Sequence, residues 1–583
     1  MSTQWHRWRW LAPSLLVVLM GCASADVSSS AAPVAGDDTW VASGQGVGGE
    51  DASQTMLSGD ADDPTKFMDS AAATSADGAG AMSDTSDYAE PSLGLVLPGA
   101  QNVSKFRQMV AAGEVPEDSD FPMEGWFNEV GSPLPPADPN NFVDLHALGA
   151  IVAQPQAEAV VLLQLGFNTS KMLQELQSPL GLVVLVDTSG SIDAERFEAV
   201  RQGILALSDN LPPGSHLAVL GFSTEVQQLW SPAEWQPAAR SELAKALSAI
   251  KPSGGTDLYA AFEGAAAVLA SMPKTLPQHR VLLCSDGSST QGGHSATDLV
   301  NQVIKLGLSL SAIGLGPMPS TALLNSVAKA GQGTYYEAPT SQAITVAFTK
   351  DLMTLLMPVA QNLKVEITLA PGWTVADAYG LPYYAQGNVL ILGQNSAHTG
   401  AGDANSGGAD LGAAPADAVD GPDQQGGSAT LATTLYPSQH NGMVVLRLQP
   451  AAGTVFDQAA TLTLAQVAWH FELTSTGTQY DRTTSVQVNG FVQIPDGPLE
   501  FFSQPIARRT AALVLLGQAM RQACAGFHGV SSNNQALATL EAGKQFAQQM
   551  LDAITPAADD PQASIADALQ LAGQLYGNIS QKK

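Results

Sequence analysis

Between residues 180 and 358 the spacing of apolar positions alternates between two periods. Short continuous runs at 181–186, 216–222, 280–284 and 308–313 read as buried strands. Between them the spacing becomes helical: over 194–207, Phe197, Val200, Ile204 and Leu207 fall on one face. Further helices are predicted over 238–250, 258–269, 297–306, 321–330 and 344–357, with Gly331 stopping the one before it. Residues 226–230 read as a hairpin partner of 216–222, and Tyr335-Tyr336 opens a last edge strand. Strands that alternate with helices imply a mostly parallel sheet covered on both faces, a doubly wound α/β fold.

The flanks follow other rules. Residues 363–369 alternate with period two, as a half-buried strand should, and 444–448, 462–473 and 485–488 behave similarly. A stretch rich in Gly, Ala, Asp and Asn at 395–430 interrupts them and reads as a disordered insert. Helical spacing returns over 507–525, 534–554 and 565–576, Ala-rich with apolar stripes. Upstream, 106–112 and 124–130 read as short helices and 159–165 as a strand. Residues 23–98 hold few large apolar groups and read as a disordered tether. The expected division is therefore a leader at 1–22, the tether at 23–98, and an accessory region at 99–179. The α/β domain follows at 180–358, then a β-rich region at 359–503 and a helical region at 504–583.

Charge narrows the partners. The 583 residues carry 54 Asp and Glu against 25 Lys and Arg, a net charge of −29, which repels nucleic acid and anionic membrane surfaces. Three cysteines cannot make a disulfide framework; Cys284 and Cys524 are expected as buried thiols. His6, Arg7 and Arg9 precede the apolar stretch 11–20, a secretory leader too short to span a bilayer comfortably. It ends in Leu19-Met20-Gly21-Cys22, which resembles the bacterial lipobox. That resemblance implies acylation of Cys22, attachment to the cell envelope by the lipid and, from Ser24, placement at the outer membrane.

The candidate chemistry lies at strand ends. Asp187-Thr188-Ser189-Gly190-Ser191 follows the 181–186 run, Thr256 lies in Gly254-Gly255-Thr256, and Asp286 closes the apolar run that begins at Val281. In an open parallel sheet the strand ends form one rim, where ligands bind. Two carboxylates and three hydroxyls can meet there, a set of hard oxygen donors suited to Mg2+. The competing reading is a domain that binds nothing through metal, since Asp and Ser also serve loops and caps. Enzyme signals are poor: nine His are scattered, and H-E-x-x-H, G-x-S-x-G and a phosphate loop are lacking. His279 and His294 flank the Asp286 strand and read as surface or cap residues. Asp193 and Glu195 suit a helix first turn.

These residues give the segment 181–357 its resemblance to the von Willebrand factor A domain. That family's metal-ion-dependent adhesion site has the pattern D-x-S-x-S, a distant T and a distant D. The resemblance implies that Asp187, Ser189, Ser191, Thr256 and Asp286 bind Mg2+ (or Mn2+ or Ca2+). The hydroxyls would ligate directly and the carboxylates directly or through water. A protein partner's acidic residue would fill the remaining position. Residues 100–583 also resemble the YfbK-like bacterial von Willebrand factor A lipoproteins, through Val110-Ala-Ala-Gly113-Glu-Val-Pro116 and Met123-Glu124-Gly125-Trp126-Phe127-Asn128. That family's acidic pair and Asn-Tyr-Phe are not kept here, and no enzymatic activity comes with the resemblance. The expected function is metal-dependent protein binding at the envelope, in adhesion or complex assembly. Its alternatives are a metal-independent scaffold and, further off, a metal-assisted hydrolase.

Overall fold

A computed structural model describes residues 93–582 except 132–133, 154–159, 290, 350–351, 381–382, 387–388, 393–427, 439–440, 452–461, 489–490, 494–498, 503–505, 531–532 and 554–563. The predicted leader, Cys22 and most of the predicted tether and insert lie outside the described residues.

Seven strands form the α/β sheet, in the order Gly99–Ala100, Gln332–Ala338, Leu310–Leu315, Gln278–Ser285, Leu180–Asp187, His216–Phe222, Val226–Glu234. All neighbours are parallel except the last pair, an antiparallel hairpin. Alternation along Leu180–Asp187 sends Leu182, Val184 and Val186 to one core and Val183 and Leu185 to the other. The first core is closed by helices Ala194–Asp209, Arg240–Ser248, Ser341–Thr349 and Leu352–Leu356, the second by Leu258–Ser271, Ala296–Leu306 and Thr321–Ala330. Burial on both faces is why these strands read as continuous apolar runs.

The remaining strands build a 13-stranded sheet whose main path includes Gln479–Val488, Leu462–Leu473, Ala360–Leu369, Ser428–Ser438, Leu93–Val96, Val160–Thr169 and Asp144–Ala153. Helices Ile506–Ala525, Asn533–Ala553 and Ser564–Gln581, joined by Ser104–Ala111 and Met123–Val130, cover the Leu148, Ala150 and Leu162 face. Arg509, fully buried, donates to the carbonyls of Gly131 (2.8 Å) and Val130 (3.1 Å) and to Ser564 Oγ (2.7 Å). It thereby satisfies carbonyls that the end of helix Met123–Val130 leaves open. Among the described residues no helix is long and apolar enough to cross a membrane.

Four expectations need correction. The tether does not extend to residue 98: Leu93–Val96 is a strand between Ser428–Ser438 and Val160–Thr169, with Leu95 and Val96 wholly buried. Four residues are too few to show a period, and their partners are remote in sequence. The insert does not extend to 430, because Ser428–Ser438 pairs with Ala360–Leu369 and Val389–Leu392. Small polar residues look like loop but fit a strand paired on both sides. Gln332–Ala338 is not an edge strand, since Gly99–Ala100 lies alongside it. The regions 99–179 and 359–503 are not independent either: strands from both enter the one large sheet.

Candidate metal centre

The parallel register that sets Val186 opposite Cys284 brings the ends of Leu180–Asp187 and Gln278–Ser285 side by side. Asp187 is completely buried, and Asp286, one residue past its strand, is 8 % exposed. Asp187 Oδ1 accepts the Ser189 N–H at 2.9 Å and Oδ2 accepts the Ser285 hydroxyl at 2.6 Å. Burial holds the Asp187 carboxyl above its ordinary range, the hydrogen bonds from Ser285 and Ser189 oppose this, and the nearby Asp286 charge adds to it.

Three loops are laced together around these carboxylates. Ser189 Oγ and Ser191 Oγ lie 3.0 Å apart. The Gly190 N–H donates to Gly254 O at 3.1 Å, and the Ser253 N–H to Thr188 O at 2.7 Å. The Gln291 N–H reaches Thr256 O at 3.0 Å, tying the Thr256 loop to the one after Asp286. Gly254 takes φ +86°, a left-handed conformation that glycine adopts without strain. Asp286 Oδ1 accepts the Ser288 N–H at 2.9 Å. Ser189 and Thr256 are buried while Ser191 is exposed, so the cluster opens to solvent on one side.

The structure thus sets Asp187, Ser189, Ser191, Thr256 and Asp286 on three adjoining loops at the sheet's C-terminal rim. Two carboxylates sit close together there, and no ion pair among the described residues involves either. Like charges held together without a protein cation, among neutral hydroxyls, fit a hard divalent cation. Histidines do not join them: His294 stacks on Tyr259, with ring centroids 3.9 Å apart, and His279 lies near the start of its strand. Asp193 caps helix Ala194–Asp209 through the Arg196 N–H, and Glu195 accepts from Ser341. Ser285 was given no role from sequence, yet its hydroxyl donates to Asp187 and accepts the Gly287 N–H at 2.9 Å. The available signal was a polar residue ending an apolar run in register with Asp187. Cys284 and Cys524 are buried free thiols, as expected.

A doubly wound sheet with this rim of Asp, Ser and Thr is the arrangement of a von Willebrand factor type A domain. Residues 180–337 match the family model of that name, and the chain carries such a domain. It is 23% identical to the uncharacterized protein YfbK of Escherichia coli over 297 residues, 49% of this chain and 49% of the relative. It is 30% identical to the human inter-alpha-trypsin inhibitor heavy chain H4 over 161 residues, 26% of this chain and 17% of the relative. The chain therefore spans half or less of the length of these two relatives. Among solved structures, a von Willebrand factor type A protein from Catenulispora acidiphila aligns over 72% of this chain and 88% of its own, at 12% identity and a TM-score of 0.43.

Proposed function

We propose that the chain binds a protein partner through a divalent cation, Mg2+ in the first instance, held by Asp187, Ser189, Ser191, Thr256 and Asp286. The observation that carries this reading is the convergence of two carboxylates, without an ion pair among the described residues, on a hydroxyl cluster open to solvent on one side. The cation supplies an electrophilic position for an outside oxygen. The residues do the rest. Asp187 and Asp286 balance charge, and the neutral hydroxyls leave the ion short of electron density. Ser285 and the Ser189 N–H fix the Asp187 carboxylate. An acidic side chain is then the favoured partner group. The role is interaction, in adhesion or assembly of an envelope complex, rather than catalysis. Leu19-Met20-Gly21-Cys22 supports anchoring through a lipid on Cys22 in the bacterial envelope, at the outer membrane.

Pull-down from envelope extract in Mg2+ tests the reading. Capture should be lost in EDTA and in Asp187→Ala and Thr256→Val. Capture that persists unchanged would instead favour a metal-independent scaffold. Labelled palmitate should enter the wild-type chain and not Cys22→Ala; equal incorporation would refute the anchor.

A further inference from the structure

The rim on either side of the candidate metal centre carries two features that the five proposed ligands do not use. On the Asp286 side, residues 316–320 link Leu310–Leu315 to Thr321–Ala330. Met318 there is 61 % exposed, and with Met172 it makes up the exposed large apolar side chains of the described residues. Pro317 and Pro319 flank it, each fixing its own φ. Gly316 turns at φ +90°, and the Ser320 N–H donates to Asp286 O at 2.8 Å. Met318 is therefore held out in water two residues from a bond to the metal loop.

On the other side a groove of about 300 Å³ opens beside the Asp187–Ser191 loop, lined by Thr188, Ser223, Gln227, Lys251 and Ser253 among others. Its lining mixes hydroxyl and amide groups with the apolar side chains of Leu229, Ala246, Ala249 and Ile250, and Lys251 is its single cation. Lys251 is exposed and forms no ion pair among the described residues. In the strand order, Leu310–Leu315 and Val226–Glu234 stand four intervals apart, with the Asp187 and Asp286 strands between them. At about 4.8 Å per interval, the two features bracket the metal centre across roughly 19 Å, which about six extended residues cover.

We propose that this rim binds one extended acidic segment of a partner protein. One carboxylate goes to the metal, an apolar side chain lies on Met318, and a second carboxylate enters the groove at Lys251. The inference rests on the metal-mediated reading above. Charge argues for it: a chain of net −29 repels acidic partners in general, and the cation and Lys251 supply positive charge at this rim. Methionine offers an adaptable apolar contact.

Labelled nonapeptides on a Gly/Ser background test it, with binding to the full chain followed by fluorescence polarisation in Mg2+. One peptide carries a single central Asp, a second adds Leu three positions away, a third adds instead a second Asp, and the additions are made on either side. Each addition, on its preferred side, should tighten binding about three- to tenfold over the single Asp. Met318→Ser should erase only the Leu gain and Lys251→Gln only the second-Asp gain, with Mn2+ affinity by calorimetry unchanged in both. Gains that survive in the variants, or peptides that all bind alike, would overturn the proposal while leaving metal-mediated binding in place. Single-Asp binding that ignores EDTA, or no uptake of Mn2+, would take down both.

Discussion

Asp187 shows how one buried carboxyl can be both structural and available. Its two oxygens hold the Ser189 amide and the Ser285 hydroxyl, and Asp286 presses a second charge against it. A cation would relieve that repulsion. Saturating Mg2+ should therefore raise the thermal midpoint of the wild type, by about 2.7 kcal/mol of stabilisation at a hundredfold excess over Kd. Calorimetry should find no such rise in Asp187→Asn or Thr256→Val. A second buried carboxyl makes a different prediction. Glu337, 2 % exposed, accepts the Lys105 N–H at 2.7 Å and the Thr321 hydroxyl at 2.8 Å. Burial is the main cause that raises its pKa to about 7, against those bonds and the Lys105 charge, with Glu129 adding to the rise. Between the unfolded value near 4.5 and about 7, the folded state binds the extra proton. This contribution to stability is full below about pH 4.5 and lost as pH rises through 7, roughly 3 kcal/mol in all. Glu337→Gln should flatten that part of the pH–stability curve in denaturant melts; an unchanged slope would reject the assignment. The candidate cluster was legible because its residues form a local pattern at strand ends. Glu337 was not, because Lys105 and Thr321 become its neighbours only in the folded chain.

At the scale of elements, close approach of backbones decides most. Helix Ala194–Asp209, which begins just past the Asp187–Ser191 loop, packs on Ser341–Thr349 at Gly203. A Cβ there would come within 2.3 Å of the Phe348 ring. Gly203→Ala should thus destabilise by about 1–3 kcal/mol through overpacking, even though Ala is the better helix former. A thermal melt measures this, and Gly203→Ala paired with Phe348→Leu should recover part of the loss. Sequence periodicity found the α/β strands and helices because each buries a full face and is bounded by turn residues. It misread elements whose order comes from their partners. Leu93–Val96 is four residues long, and Ser428–Thr430 has the composition of a loop. The predicted helix over 344–357 is two helices, Ser341–Thr349 and Leu352–Leu356, since their apolar residues share a core whether or not the axis is continuous.

At the scale of the whole molecule, Arg280, 3 % exposed, on the α/β side, makes one of the contacts that join the two sheets. Its Nη2 donates to Tyr436 Oη at 2.6 Å and to Ser311 Oγ at 3.2 Å, and its guanidinium lies 5.2 Å from the Tyr436 ring centroid. Tyr436 in turn donates to Gln332 O at 2.5 Å. Tyr436→Phe keeps the ring but strips a buried cation of an acceptor, so about 1–3 kcal/mol should be lost. If this contact couples the sheets, calorimetry on the variant should resolve two unfolding transitions where the wild type shows one; a single, merely shifted peak would assign it a local role. None of this joint was readable in advance, because Arg280 sits in an apolar run and Tyr436 far downstream.

The large sheet also bears on the order in which the chain is completed. Gly94 lies opposite Ser438, and the buried Arg509 closes the end of a helix that stops at Val130. Pairings of such high sequence separation form slowly. While the chain emerges from the ribosome, residues 180–338 already hold all but the Gly99–Ala100 strand of the α/β sheet, and that strand precedes them. The strand at Leu93–Val96 must meanwhile wait for Ser428–Ser438, and the helix Met123–Val130 for the helices that begin at Ile506, with apolar surface uncovered. In a nascent chain of this design that helix stays uncovered until late, and the helices from Ile506 to Gln581 act as the closing clasp.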